Sequence, residues 1–381
     1  MIDIVDSRHG ARLLLEDSYA TYPHSNGFVG GGSGLVLGIA GGRPRLVRVD
    51  PAGPAADPVE VVSAEEFRRA SDGVDAPSWS PTAPTTPVPW FDVALETDVL
   101  VTCWGNQLLL TDDLERAGGL RPLYRPETGW VLHELMSISA DGSAAYVSES
   151  DGVEWTLRRV DVGGGGSEPI VRLPWHANHV HPVPADESWL LFSHEGPAAT
   201  VPDRMWAIDE RHASAAGPVF DQLAFSDTAG TPVSVGHERG MFHEPGAVVV
   251  AYGESPTGPR GLVQTFLDGR PPRLVSAGDR DWHCGISRDG RQMVVDTSGP
   301  WEAPGRGWAD AGRASSIVLV DAESGARREL ARTGFIGHPY HPHPSFTPDG
   351  TAVLFNHVEF DELGEPVARG AALVPVSPSH E

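Results

Sequence analysis

One pattern recurs along this chain and restricts what it can fold into: a polar turn of the type Ser/Pro-x-Asp-Gly, followed by a strand of alternating apolar residues. It reads SISADGSAAYVS at residues 137–148, GISRDGRQMVVDT at 285–297 and PSFTPDGTAVLFN at 344–356. Weaker copies are HPVPADESWLLFSH at 181–194 and HEPGAVVVAYG at 243–253. Each is followed by a second strand with a Gly-rich or Asp-rich turn, such as TLRRVDVGGGG or IVLVDAESGARREL. A hairpin of this kind cannot bury both faces alone, but several arranged around an axis can.

The strong copies begin roughly 40 to 60 residues apart, the length of a four-stranded blade with its loops. The chain of 381 residues then holds seven blades, near 27–62, 91–130, 131–175, 176–222, 223–277, 278–336 and 337–378. The expected fold is all-β, a seven-bladed β-propeller forming a single domain over residues 1–381, with residues 1–24 supplying a strand that closes the ring against the last blade. Closure removes the exposed edges an open sheet would leave. The composition agrees: 44 Gly and 34 Pro call for many turns, and 11 Trp with 40% apolar residues exclude a disordered chain. Helix is scarce. The clearest candidate spans 63–70, where Ser63 and Glu66 form a capping box. The Pro-rich stretch 75–89 reads as an extended surface connection, and 163–166 as a flexible hairpin tip.

With 28 basic and 52 acidic residues the formal net charge is −24, which repels nucleic acid and anionic membranes. A small anionic substrate needs a local cluster of Arg, His or metal to overcome that field. The first twenty residues carry acids where a signal peptide needs basic residues, and no stretch approaches the roughly 18 apolar residues of a membrane helix. Two cysteines, Cys103 and Cys284, do not make a disulfide framework, so a cytoplasmic location is expected.

The 16 histidines are unevenly spread. His338, His341 and His343 fall together in GHPYHPHPSF, just before the last strong blade strand, and His341 and His343 share one face of an extended segment. One blade earlier His283 occupies the corresponding position in DWHCGIS. Equivalent positions of adjacent blades converge on the central channel, so the four imidazoles are expected to meet there, and three or four suffice for a divalent ion. The bland reading, that each His satisfies a backbone carbonyl in a tight turn, suits a lone His better than three clustered ones with a fourth in register. GHE places His237 at a channel mouth, HEGP places His194 at the end of a blade strand, and DRMW supplies Arg204 on a strand with Met205 and Trp206. For Arg204 the ordinary alternative is an ion pair with Asp203 or another surface acid. For His194 a structural hydrogen bond is preferred.

Taken together, HEGP, DRMW, GHE, the His before a Ser-x-Asp-Gly turn and HPHPSFTPDG resemble the oligogalacturonate lyases, seven-bladed propeller polysaccharide lyases. The resemblance covers about residues 131–360 with the motifs in the family's order. It implies a manganese ion held by three His and one Gln, a His base and an assisting Arg. By motif position His283, His341 and His343 are the implied ligands, with His338 where the family has Gln. His237 is the implied base, expected near its ordinary pKa, and Arg204 the assisting cation. An imidazole in place of Gln favours zinc, nickel or iron over manganese. Arg239 and Gly240 follow GHE where the family has aromatics, and Ala198 follows HEGP where it has Trp. These differences bear on which uronide fits more than on the metal.

The implied reaction is metal-dependent β-elimination on a short uronate-containing oligosaccharide, a small anionic substrate. Two other readings compete. One is a non-catalytic scaffold of TolB-like repeats that binds protein, which explains the repeats but not the histidines. The other is a metal-dependent hydrolase using the same cluster to activate water. A serine hydrolase is disfavoured because no Gly-x-Ser-x-Gly elbow is present.

Overall fold

The protein is described by a computed structural model over residues 10–376, apart from 41, 54–56, 72–87, 165, 198–199, 213–215, 304 and 306–311. The strong repeats fold alike because their turn residues do the same work in each copy. Ser139 Oγ donates to Asp141 Oδ1 at 2.7 Å, Ser287 Oγ to Asp289 Oδ1 at 2.7 Å, and Thr347 Oγ1 to Asp349 Oδ1 at 2.6 Å. The Gly that follows each Asp takes a left-handed φ of 72° to 75°, which a side chain would resist. The main chain then closes a hairpin, with Ser139 N–H donating to Ala144 O, Ser287 N–H to Gln292 O and Thr347 N–H to Ala352 O.

Seven antiparallel sheets result, forming the seven blades of a propeller. Blade 1 runs Ser18–Tyr19, Gly34–Ile39, Arg45–Val49 and Val59–Val62, with Phe28–Val29 pairing on Gly34–Ile39. It thus starts nine residues earlier than the repeat pattern placed it at 27, because Ser18–Tyr19 carries no turn motif to mark it. Blades 2 to 6 open with Phe91–Val93, Val131–Ile138, Ala177–Val183, Val235–Gly240 and Asp281–Ile286. Blade 7 consists of Ser345–Phe346, Ala352–Phe360 and Pro366–Pro375, and Arg12–Glu16 adds as its outer strand. That pairing, Arg12 opposite Leu373 and Glu16 opposite Gly370, ties the start of the chain to its end. The Ser63/Glu66 capping box is formed at the helix Ala64–Ser71, where Ser63 N–H donates to Glu66 Oε2 at 2.8 Å. The Pro-rich connection, apart from residues 88 and 89, lies outside the described residues, as do residue 165 of the Gly-rich tip and Ala198.

Apolar residues of neighbouring blades pack face to face between the sheets. Val248, Val250 and Leu262 of blade 5 meet Cys284, Met293 and Val295 of blade 6 in one cluster, all fully buried. The first strands of blades 2 to 6 touch one another in sequence, and the last of them meets Ser345–Phe346, so they line the axis. Their side chains decide what the channel contains.

Candidate metal centre and catalytic site

The first strands of blades 3 to 6 each break register with the second strand, at Leu132/Met136, Asn178/His181, Gly236/Arg239 and Asp281/Cys284. A histidine falls within every break: His133, His179, His237 and His283. Such bulges re-aim a side chain that regular alternation would send into the sheet packing. His179, His237 and His343 also have left-handed φ values of 58°, 57° and 48°, three of the five non-glycine residues so strained among those described.

On one side of the channel His283, His341 and His343 present ligand atoms that all lie within 4.8 Å of one another. The His283 and His343 rings are 4.4 Å apart, centre to centre. Asp296, fully buried, accepts from His283 Nδ1 at 2.7 Å and from the His343 main-chain N–H at 3.1 Å. The first contact leaves Nε2 as the His283 nitrogen that could hold a metal ion, with the carboxylate–histidine support usual for such sites. His343 is 1% exposed, and neither of its ring nitrogens has a hydrogen-bond partner among the described residues. A buried polar group left in that state costs about 1–3 kcal/mol, so the donor set fits a cation. His338 stands apart from this set. It is exposed, and its ring lies 3.9 Å from that of His341.

His237 packs its ring 4.0 Å from His283. Its Nδ1–H donates to Trp282 O at 2.7 Å, with Tyr252 Oη 3.2 Å from the same nitrogen, so Nε2 carries the lone pair. Its pKa is not near the ordinary value that the sequence reading assumed: burial pushes it down to about 3, leaving a neutral ring at neutral pH. Arg204 immediately precedes the strand Met205–Asp209 rather than lying on it. It is 9% exposed and pairs with Glu195 of HEGP, Nη2 lying 2.9 and 3.0 Å from the carboxylate oxygens, not with Asp203. Its buried Nε has no hydrogen-bond partner among the described residues. Gly236 leaves room for this arrangement, because a Cβ there would lie 2.0 Å from Tyr252 Oη and 3.0 Å from Arg204 Nε. His194 takes the structural role preferred for it, with Nδ1 2.9 Å from Asp203 Oδ1 and its ring stacked 4.1 Å from Trp175.

Several site residues escape a reading of motifs. Tyr22 reaches into the channel from the connection that follows Ser18–Tyr19 in blade 1, its ring 4.9 Å from those of His24, His179 and His343. His179 Nε2 lies 3.4 Å from Glu195 Oε1, so one carboxylate faces both His179 and Arg204. Asp296 sits in MVVDT, where an acid inside an apolar strand is the available signal, since a buried carboxylate needs a partner. Nothing in the local sequence marks Tyr22.

No protein-family model matches the chain, and no curated protein matches it. Among solved structures it is similar to an oligogalacturonate lyase in complex with manganese, with a TM-score of 0.74 at 20% identity over 99% of this chain and 96% of the other. It is also similar to an oligogalacturonate lyase from Vibrio parahaemolyticus, with a TM-score of 0.73 at 18% identity over 100% of this chain and 97% of the other. The chain therefore has the seven-bladed propeller fold of these two oligogalacturonate lyases along its whole length.

Proposed function

We propose that this protein cleaves short, oligogalacturonate-like uronate oligosaccharides by β-elimination, using a divalent cation held by His283, His341 and His343. The observation that carries the reading is His343, a buried imidazole inside a three-histidine set whose two ring nitrogens have no hydrogen-bond partner among the described residues. His338 is the proposed fourth ligand, reached from the exposed side. Manganese follows from the likeness, and an all-imidazole set favours zinc, nickel or iron. Such a cation on the uronate carboxylate would stabilise the negative charge that develops as the neighbouring proton leaves.

His237 is the proposed base. With Nδ1–H committed to Trp282 O, its Nε2 lone pair is the atom that takes the C5 proton. The electrons of that bond form the C4–C5 double bond, the C4–O bond breaks, and the departing oxygen takes a proton from solvent. Arg204 is held from behind by Glu195, which leaves Nε as the donor available to a substrate oxygen. In a chain of net charge −24, this cation and the bound ion supply the local positive field an anionic substrate needs. Cys103 and Cys284, both buried free thiols, support the cytoplasm as the compartment.

Mass spectrometry of the products from trigalacturonate tests the reaction class. Elimination gives an unsaturated fragment lighter by one water than the hydrolysis product. A saturated fragment in its place identifies a metal-dependent hydrolase, and no cleavage by metal-loaded protein refutes the substrate assignment.

A further inference from the structure

A cavity of about 40 Å³ is lined by Thr21, Ser25, Arg239, Phe242, Arg288 and Thr347 among others. Its walls come from the later parts of the same first strands: Arg239 follows His237 by two residues, Gly285 and Ile286 follow His283, and Ser345 and Phe346 follow His343. Among the described residues no ligand histidine lines it, and neither does any Asp or Glu, although the chain has 52 acidic residues. The guanidinium carbons of Arg239 and Arg288 lie 5.1 and 5.6 Å from the centre of the Phe242 ring. Arg239 donates Nη1 to His24 O, and among the described residues neither arginine has a carboxylate at ion-pair distance. Asp92 acts on Arg239 through its charge, while its oxygens accept from Asn26 N–H at 2.6 Å, Ser137 Oγ at 2.7 Å and Ile138 N–H at 3.1 Å.

We propose that this cavity is an anion site, taking one small oxyanion, a phosphate or a carboxylate, between Arg239 and Arg288. Two guanidiniums beside one aromatic ring and facing a carboxylate-free cavity form an incomplete charge arrangement, and a planar fork of N–H donors matches oxyanion geometry. Burial pushes the Arg239 pKa down to about 10; the Asp92 charge opposes this and Arg288 adds to it. One water needs about 10–15 Å³ on the same measure, so the space suits a few waters or one small oxyanion. Arg288 is exposed, which gives the site access to solvent. The proposal does not depend on the lyase reading, because it uses none of that site's residues.

The test is calorimetric titration of the metal-free protein at low ionic strength, with inorganic phosphate and galacturonate as separate probes. Saturable one-to-one binding is expected for at least one probe, and the tighter of the two identifies the oxyanion. Arg239→Gln and Arg288→Gln should each weaken it at least about tenfold, the loss expected of one charge-assisted hydrogen bond. His341→Ala should leave it unchanged, which separates this site from the metal centre. Arg288→Gln alters an exposed side chain and decides the matter even if Arg239→Gln fails to fold. Absence of saturable binding for both probes, or affinity unaltered by Arg288→Gln, overturns the proposal.

Discussion

Asp296 supports two histidines of the candidate metal centre: its Oδ2 lies 2.7 Å from His283 Nδ1, and the same oxygen accepts the main-chain N–H of His343 at 3.1 Å. One buried carboxylate on the second strand of blade 6 thus fixes one ligand ring and the backbone of another, on a different blade. Asp296→Asn keeps the shape but loses the charge. It should weaken divalent-metal affinity by about 10- to 100-fold, the usual effect of removing such a support, while the far-ultraviolet circular dichroism stays that of the parent. Competition against a chelating dye measures this, and unaltered affinity would show that the carboxylate has no part in holding the ligands.

Gly236 is predicted to be intolerant of even one methyl group. A Cβ there meets Tyr252 Oη at 2.0 Å and Arg204 Nε at 3.0 Å, so both must move. Gly236→Ala should lower elimination at least about tenfold with metal affinity preserved, and cost about 1–3 kcal/mol of stability through overpacking. Parallel kinetic and denaturant measurements check both halves, and full turnover would mean that the positions of Tyr252 and Arg204 are immaterial.

His237 and His341 should separate the base from the ion. His237→Ala should reduce turnover by about 10² to 10⁴-fold and retain metal, because a base acts on the proton only in the transition state. His341→Ala should lose both. Arg204→Lys should also be costly, since a point charge does not reproduce a planar fork of donors. Metal content by elemental analysis alongside initial rates distinguishes these outcomes.

Asp92 carries a pH signature in stability. Burial raises its pKa to about 6 against hydrogen bonds that favour the charge. Between about pH 4 and 6 the folded state therefore holds a proton that the unfolded chain has lost, and stability falls as pH rises through that window. A rise from the ordinary carboxylate range to about 6 corresponds to roughly 3 kcal/mol. Asp92→Asn should flatten the slope of unfolding free energy over that range, whatever its effect on absolute stability. A slope identical to that of the parent would show that Asp92 does not titrate there.

The blades were legible because their turns are chemically explicit. Ser139, Asp141 and Gly142 make the same contacts as Ser287, Asp289 and Gly290, so one local rule recurs around the ring. His283, His341 and His343 were legible as a cluster, because equivalent positions in adjacent blades meet at the axis. The site's other half was not. His179 is turned inward by a break in register that strict alternation does not anticipate, and Glu195 gains its place only by meeting Arg204 and His179 across a blade. Tyr22 reaches the channel from the connection after the first strand of blade 1, in a segment that the sequence marks only as part of a closing strand. Contacts between distant segments have no local signature.

The most direct measurement of the central claim is the ultraviolet absorbance of the unsaturated uronide formed from trigalacturonate, followed for metal-free protein, metal-loaded protein and metal-loaded His237→Ala. The account predicts a steady rise only with the metal-loaded parent, abolished by chelation and restored by adding the ion back. A rise of equal rate in the metal-free protein or in His237→Ala, or none from the metal-loaded parent, would contradict it.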